Sequence, residues 1–220
     1  MAVTLGACQT TLKTIDNFVP PAGPVKILLM PPDVQLSEMQ ASGLQEPRAD
    51  WTEMAKANLK AALARRLEER KSLLVDYLPP GNLSEERVHN RLINLHNAVG
   101  NAVRIHKLLQ PYQLPTKEGR FDWSLGPNAA RLREAYGADY ALFFFVRDSY
   151  ASAGRAAMVV ALAIFGVGVP GGRQDGYVSL VDLRSGEIVW FNVVLGQGGD
   201  LRESGQTQES VKDLLADMPI

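Results

Sequence analysis

Few side chains in this 220-residue chain could do chemistry: three histidines, one cysteine and a scatter of carboxylates. His89, His96 and His106 share one stretch of helical spacing. His89 and His96 are two turns apart, about 10 Å along a helix axis, whereas a metal ion sits about 2 Å from each ligating nitrogen. One ion does not join them, so no metal is expected. His106 falls on an apolar seam and reads as a half-buried packing residue whose ring finds one hydrogen bond. "GVGVPG", from Gly166 to Gly171, has the spacing of a dinucleotide-binding turn, with Glu187 about where a ribose-binding acid would stand. That fingerprint needs a helix directly after the glycines, so that pyrophosphate meets its amino terminus. Pro170 interrupts the tract and the residues from Gly176 read as a strand, which leaves a flexible apolar turn. No G-x-S-x-G is present, Cys8 precedes the folded region, and the spacing of Asp139 and Asp148 singles neither out as an acid or base. The expectation is no catalytic residue and no cofactor.

The elements that would position any site follow from apolar periodicity. Val25 to Pro32, "VKILLMPP", is a short continuous apolar run closed by two prolines, as in a central strand buried on both faces. From Asp50 the period becomes helical, with Glu53 completing a capping box and Met54, Ala55, Leu59, Ala62, Leu63 and Leu67 on one face. Ser72 to Leu78 is a second strand. Val88, Leu92, Leu95, Val99, Ala102, His106 and Leu109 recur at alternating steps of four and three, the seam of a long amphipathic helix from Glu85 to Leu109. Pro127 and Gly137 bracket a short helix. "ADYALFFFVRDSY" suits a strand in the middle of a sheet, and Tyr177–Leu183 and Glu187–Leu195, joined at Arg184 to Gly186, form an antiparallel hairpin. Val211, Leu214, Leu215 and Met218 close the chain with another helix. The predicted class is α/β (α+β): an about five-stranded mixed sheet with a carboxy-terminal hairpin and helices packed on it. Residues 25–220 form a single α/β domain, and residues 1–24 lead into it.

Composition narrows the function. With 46% hydrophobic and 21% charged residues the chain should fold as a globular domain. The 23 basic and 24 acidic residues nearly cancel, so no field gathers nucleic acid. A single cysteine excludes an internal disulfide.

That cysteine stands in "LGAC", Leu5 to Cys8, which resembles the lipobox of bacterial lipoproteins, in which the cysteine is lipidated and becomes the mature amino terminus. Only Met1 to Ala7 precede it, fewer than the 7 to 15 apolar residues and basic flank of a secretory leader. Either translation starts further upstream or Cys8 is an ordinary thiol of a cytoplasmic chain. The polar, proline-containing stretch after Cys8 reads as a tether. By the same resemblance Gln9, in place of aspartate, favours sorting to the outer membrane.

One anomaly remains. The 14 residues Ala156 to Val169 are apolar and broken by glycine, too short to span a bilayer. They form either a helix buried against the sheet and ending at Gly166, or an exposed apolar surface for a partner or a membrane interface.

"ILLMP", "YGADYALFFFV" and "GYVSLVDLRSGEIVWFN" together resemble a set of bacterial envelope lipoproteins that share a fold with the amino-terminal domain of TolB and with the curli-secretion lipoprotein CsgG, over about Val25 to Leu195. The resemblance implies a lipid-anchored periplasmic protein at the outer membrane, acting by contact with envelope proteins or with itself in assembly or export. Cys8 would carry the lipid. The contact surface is expected, from the residues themselves, on the seam of the long helix at Val99, His106 and Leu109 and on the apolar segment at Ile164 and Phe165. Two other readings stay open: a small-ligand protein or enzyme with a pocket near the Gly166 to Gly172 loop, and a cytosolic interaction domain.

Overall fold

Strand β6, Tyr140–Ala151, is the spine of the domain because its run of aromatic and β-branched residues fills both sheet faces. The computed structural model describes residues 11–12, 15, 18–196 and 199–220; Cys8 lies outside the described residues. The described sheet has eight strands in the order β1-β8-β7-β6-β2-β5, with β3 beside the far half of β6 and β4 beside β3. In chain order these are β1 Thr11–Leu12, β2 Lys26–Leu29, β3 Asp33–Met39, β4 Gln45–Pro47, β5 Leu73–Asp76, β6, β7 Arg173–Asp182 and β8 Ile188–Gly196. The helices are α1 Ala49–Glu69, α2 Leu83–Val103, α3 Ala130–Tyr136, α4 Ala153–Ile164 and α5 Ser204–Leu214.

The mixed sheet and carboxy-terminal hairpin are those expected, with three further strands. β2 is central, paired in parallel with β5 on one side and β6 on the other. Pro31 and Pro32 do not end it as a sheet segment. Lacking amide hydrogens, they interrupt the ladder for two residues, and the chain resumes as β3 along the same edge of β6, Asp33 opposite Phe145. The β7–β8 hairpin turns where the Asp182 carboxylate accepts from the amides of Arg184 at 2.7 Å and Ser185 at 3.2 Å, and Gly186 takes a φ of 78°. β1 pairs with β8, the amide of Ile15 donates to the Val189 carbonyl at 3.2 Å, and Ile15 and Phe18 pack on the core. The lead is therefore laid along the sheet edge at these residues and is not a free tether throughout.

Alternation along each strand sends side chains to two cores. Ile27, Leu29, Leu142, Phe144, Leu180 and Trp190 face α1 and α5, meeting Ala55, Leu59, Leu63, Leu67, Val211 and Leu214. Leu28, Met30, Ala141, Phe143, Tyr177 and Phe191 face α2 and α3, meeting Leu92, Val103 and Leu132. The result is helices on both sides of one sheet.

Two helical expectations change. Asp50 does not cap α1: the N-cap is Arg48, and its guanidinium donates to Asp50 at 3.0 and 2.8 Å. Met54 is exposed. The long helix buries His89, Leu92, His96, Gly100 and Val103, while Leu95 is exposed and Val88 and Val99 are only partly buried. The core stripe is rotated from the apolar seam because two histidines and a glycine occupy core positions. Gly100 is required there: a Cβ would strike the ring of Tyr177. After Val103 the helix loosens into a π-turn, Arg104–Leu108, and so stops short of Leu109 as a regular helix.

Candidate functional site: an apolar helix at the end of the sheet

β6 and β7 are antiparallel neighbours, yet 21 residues separate Ala151 from Arg173, and α4 fills that excursion. Its start is set by Ser152, whose hydroxyl caps the helix by accepting from the Arg155 amide at 3.2 Å, while its own amide donates to the Met39 carbonyl at 3.0 Å. Its end is set by Gly166, at a φ of 75°. The Gly166 amide reaches the Ala163 carbonyl and the Val167 amide the Leu162 carbonyl, both at 3.0 Å, the paired bonds of a Schellman ending. The helix ends at Gly166 as the sequence suggests.

It is not buried against the sheet. Val160 is 64%, Ile164 79% and Phe165 80% exposed, and Val167 is also in solvent. Ala156, Ala157, Ala161 and Ala163 are exposed as well, so at 100° per residue the open apolar arc spans about 160° of the helix. Met158, Val159 and Leu162 are half-covered, and the one buried residue is the cation Arg155. Complete burial of one such aliphatic or aromatic side chain is worth about 1.5–3 kcal/mol, and four of them are left in solvent here as one apolar surface.

Arg155 fixes the base of the excursion. Its Nε and Nη2 donate to the Pro170 carbonyl at 3.3 and 2.8 Å. Gly172 passes so close to the Ser149 backbone that a Cβ would clash with the Ser149 carbonyl, and the Arg173 amide donates to the Ser149 hydroxyl at 2.9 Å. Sequence reasoning missed this lock. Its signal was a serine three residues before a lone arginine that opens an apolar run.

Of the residues expected to make contacts, Ile164 and Phe165 are the last residue and the cap of this helix, and Leu109 is exposed just after the π-turn that follows α2. Val99 packs partly on the core. His106 is half-buried, its Nδ1 2.6 Å from the Tyr112 carbonyl. Leu95, Ile105 and Tyr112, with Leu109, leave apolar side chains in solvent along and beyond α2, a surface the seam assigned only in part.

His89, His96 and Asp148 are taken up inside the fold. His96 stacks on Phe143 at 4.5 Å between centroids, and its Nε2 lies 2.5 Å from the Ser179 hydroxyl. Burial pushes its pKa down to about 3. His89 packs against Tyr77 and Tyr136, its Nδ1 3.2 Å from the Tyr77 hydroxyl, and burial lowers its pKa too. Asp148, raised by burial, accepts from Tyr150 at 2.6 Å and from Gln174 at 2.9 Å. Asp139 sits nine residues away, about 30 Å along the strand, and accepts from the Lys26 amide at 3.1 Å, so the two make no acid–base pair. Among the described residues no group of three or more His, Cys, Asp or Glu side chains could hold a metal ion. After "GVGVPG" the chain continues as β7, with no helix to meet a phosphate. A polar groove of about 280 Å³ borders the loop at Arg173, lined also by Gln35, Ser37, Gln45, Arg147, Asp148 and Asp175. Two of its charges have close partners, Arg147 with Asp33 at 2.8 Å and Asp175 with Arg104. No helix of the described residues is long and apolar enough to cross a membrane.

No protein family and no curated protein matches the chain. Among solved structures it is similar to lipoprotein GNA1162 from Neisseria meningitidis, at 17% identity over 90% of this chain and 100% of that one, with a TM-score of 0.36. It is also similar to a PelC dodecamer from Paraburkholderia phytofirmans, at 12% identity over 94% and 93% of the two chains, TM-score 0.39. A third likeness is the LpoB carboxy-terminal domain from Salmonella enterica, at 16% identity over 80% and 86%, TM-score 0.29. Superpositions this loose assign no function to this chain.

Proposed function

We propose that this chain is a non-enzymatic envelope protein, held at the outer membrane by a lipid on Cys8, that works through contact surfaces in envelope assembly or export. The observation that carries the contact reading is the set of apolar side chains left in water along and beyond α2, Leu95, Ile105, Leu109 and Tyr112, on a domain that already buries its strand and helix faces on two cores. Support for the anchor is the "LGAC" tract and the resemblance to the TolB amino-terminal domain and CsgG, with Gln9 favouring the outer membrane. His96 and Asp148 are held by packing and internal hydrogen bonds and His89 is stacked between two tyrosines, which favours contact over catalysis. The surface formed by Leu95, Ile105, Leu109 and Tyr112 is the one we assign to a protein partner.

The test is site-specific photo-crosslinking in cells, with the reactive side chain at Tyr112 and, as control, at exposed Arg184 on the hairpin turn. The reading expects a discrete protein adduct from Tyr112 and none from Arg184. Absence of any adduct at Tyr112 in folded, abundant protein contradicts the contact role.

A further inference from the structure

We propose that α4 and its tip, Phe165 to Val167, lie in the interface of a lipid bilayer, and that the end of the sheet carrying them faces the membrane. Four observations converge on lipid as the occupant. First, the open apolar arc of about 160° continues over the tip at Phe165 and Val167, so the apolar surface wraps the end of the helix as well as its side. A fluid apolar phase can meet the arc and the tip together. Second, Arg155 is the only charged residue from Ala151 to Gly172, and it is buried at the base, hydrogen-bonded to the Pro170 carbonyl. No charge on this segment has to be desolvated. Third, the Schellman bonds at Gly166 and Val167 satisfy two terminal carbonyls internally, which lowers the cost of taking the helix end out of water. At 12 residues, about 18 Å, α4 is long enough to embed in an interface and too short to cross a bilayer.

The fourth observation is topological. Thr11 on β1 pairs with Asn192 on β8, Asn192 with Val178 on β7, and Val178 with Phe144 on β6. β1 runs antiparallel to β8, which runs parallel to β6. β1 therefore runs away from the end of the sheet to which β6 carries α4. α4 would thus meet the bilayer at the end of the sheet from which β1 runs. The identity of that bilayer rests on the proposed function; the lipid contact itself does not need Cys8.

The test uses the full chain as Cys8→Ser, which is unlipidated and has no other thiol. It is mixed with vesicles of phosphatidylethanolamine and phosphatidylglycerol and floated on a density gradient. Flotation is expected, and Ile164→Glu with Phe165→Glu should reduce the bound fraction about tenfold or more at an unchanged melting temperature, since both side chains are exposed. In a second measurement, an environment-sensitive dye on Phe165→Cys in the Cys8→Ser chain should brighten and shift to the blue on adding vesicles, and the same dye on Arg184→Cys at the opposite end should not. Failure to float together with a silent dye at residue 165 overturns the inference, as does equal flotation of the glutamate variant. Self-association in solution that the glutamates abolish, without vesicle binding, also overturns it and assigns α4 to a second copy. Because Cys8 is absent throughout, failure here leaves the anchor untouched, and failure of the anchor leaves this result standing.

Discussion

Arg155 donates from both Nε and Nη2 to the carbonyl of Pro170, fifteen residues on, and so ties the start of an apolar excursion to its end. A guanidinium under an apolar helix contributes most by holding the return of the chain, since a charged donor bond is worth about 1.5–3 kcal/mol. Arg155→Met keeps the aliphatic stem and removes the lock. Amide exchange across residues 156–172 is expected to accelerate about 10- to 100-fold, with little change in the global unfolding midpoint. Unchanged exchange would mean the excursion is held by its apolar contacts alone.

Gly100 and Tyr177 should be coupled in the same way by shape. In an ordinary helix Gly→Ala gains about 1 kcal/mol, but here the added methyl collides with a ring stacked between Phe145 and Phe191, whose centroids lie at 4.9 and 5.4 Å. Overpacking of this kind costs about 1–3 kcal/mol. Gly100→Ala should lower Tm by about 2–8 °C. In a Tyr177→Ala background the same substitution should be neutral or stabilising, which a double-mutant cycle reads directly.

These two positions show what was legible in the sequence and what was not. The strands β2, β5, β6, β7 and β8, the buried face of α1 and the glycine stop at Gly137 follow from local pattern and turn chemistry. β3 was hidden because Pro31 and Pro32 read as a terminus, when a long neighbour such as β6 can accept the chain again two residues later. The face of α2 was misphased because His89, His96 and Gly100 carry no apolar signal, and their burial depends on Tyr77, Ser179 and Tyr177 from distant strands and loops. Hydropathy could not decide whether residues 156–169 are buried or exposed, because the same apolar composition serves a core and a surface that meets lipid or protein.

His96 gives the fold a pH dependence. Its folded pKa is about 3 against an ordinary 6.5, so below about 6.5 the unfolded chain binds a proton that the folded chain refuses. The stability this residue preserves is full above 6.5 and is lost as the pH falls toward 3, with a slope of up to about 1.4 kcal/mol per pH unit for one proton. His89, lowered by the same cause, adds in the same direction. Urea unfolding of His96→Gln should show a pH dependence about one proton shallower across this window; an unchanged slope would place the histidine in contact with water.

Leu95→Glu and Leu109→Glu change exposed side chains and should move stability by less than about 0.5 kcal/mol. Both should nevertheless abolish the photo-adduct formed from Tyr112. Retention of the adduct would move the partner surface away from the end of α2.

The claim on which the functional account turns is that Cys8 anchors the chain. The direct measurement is intact mass and membrane partition of the protein expressed from its native locus, beside Cys8→Ser. The account predicts acyl mass and outer-membrane sedimentation for the natural sequence and neither for the variant. Unmodified, soluble protein in both would contradict it and return the chain to the cytosolic reading.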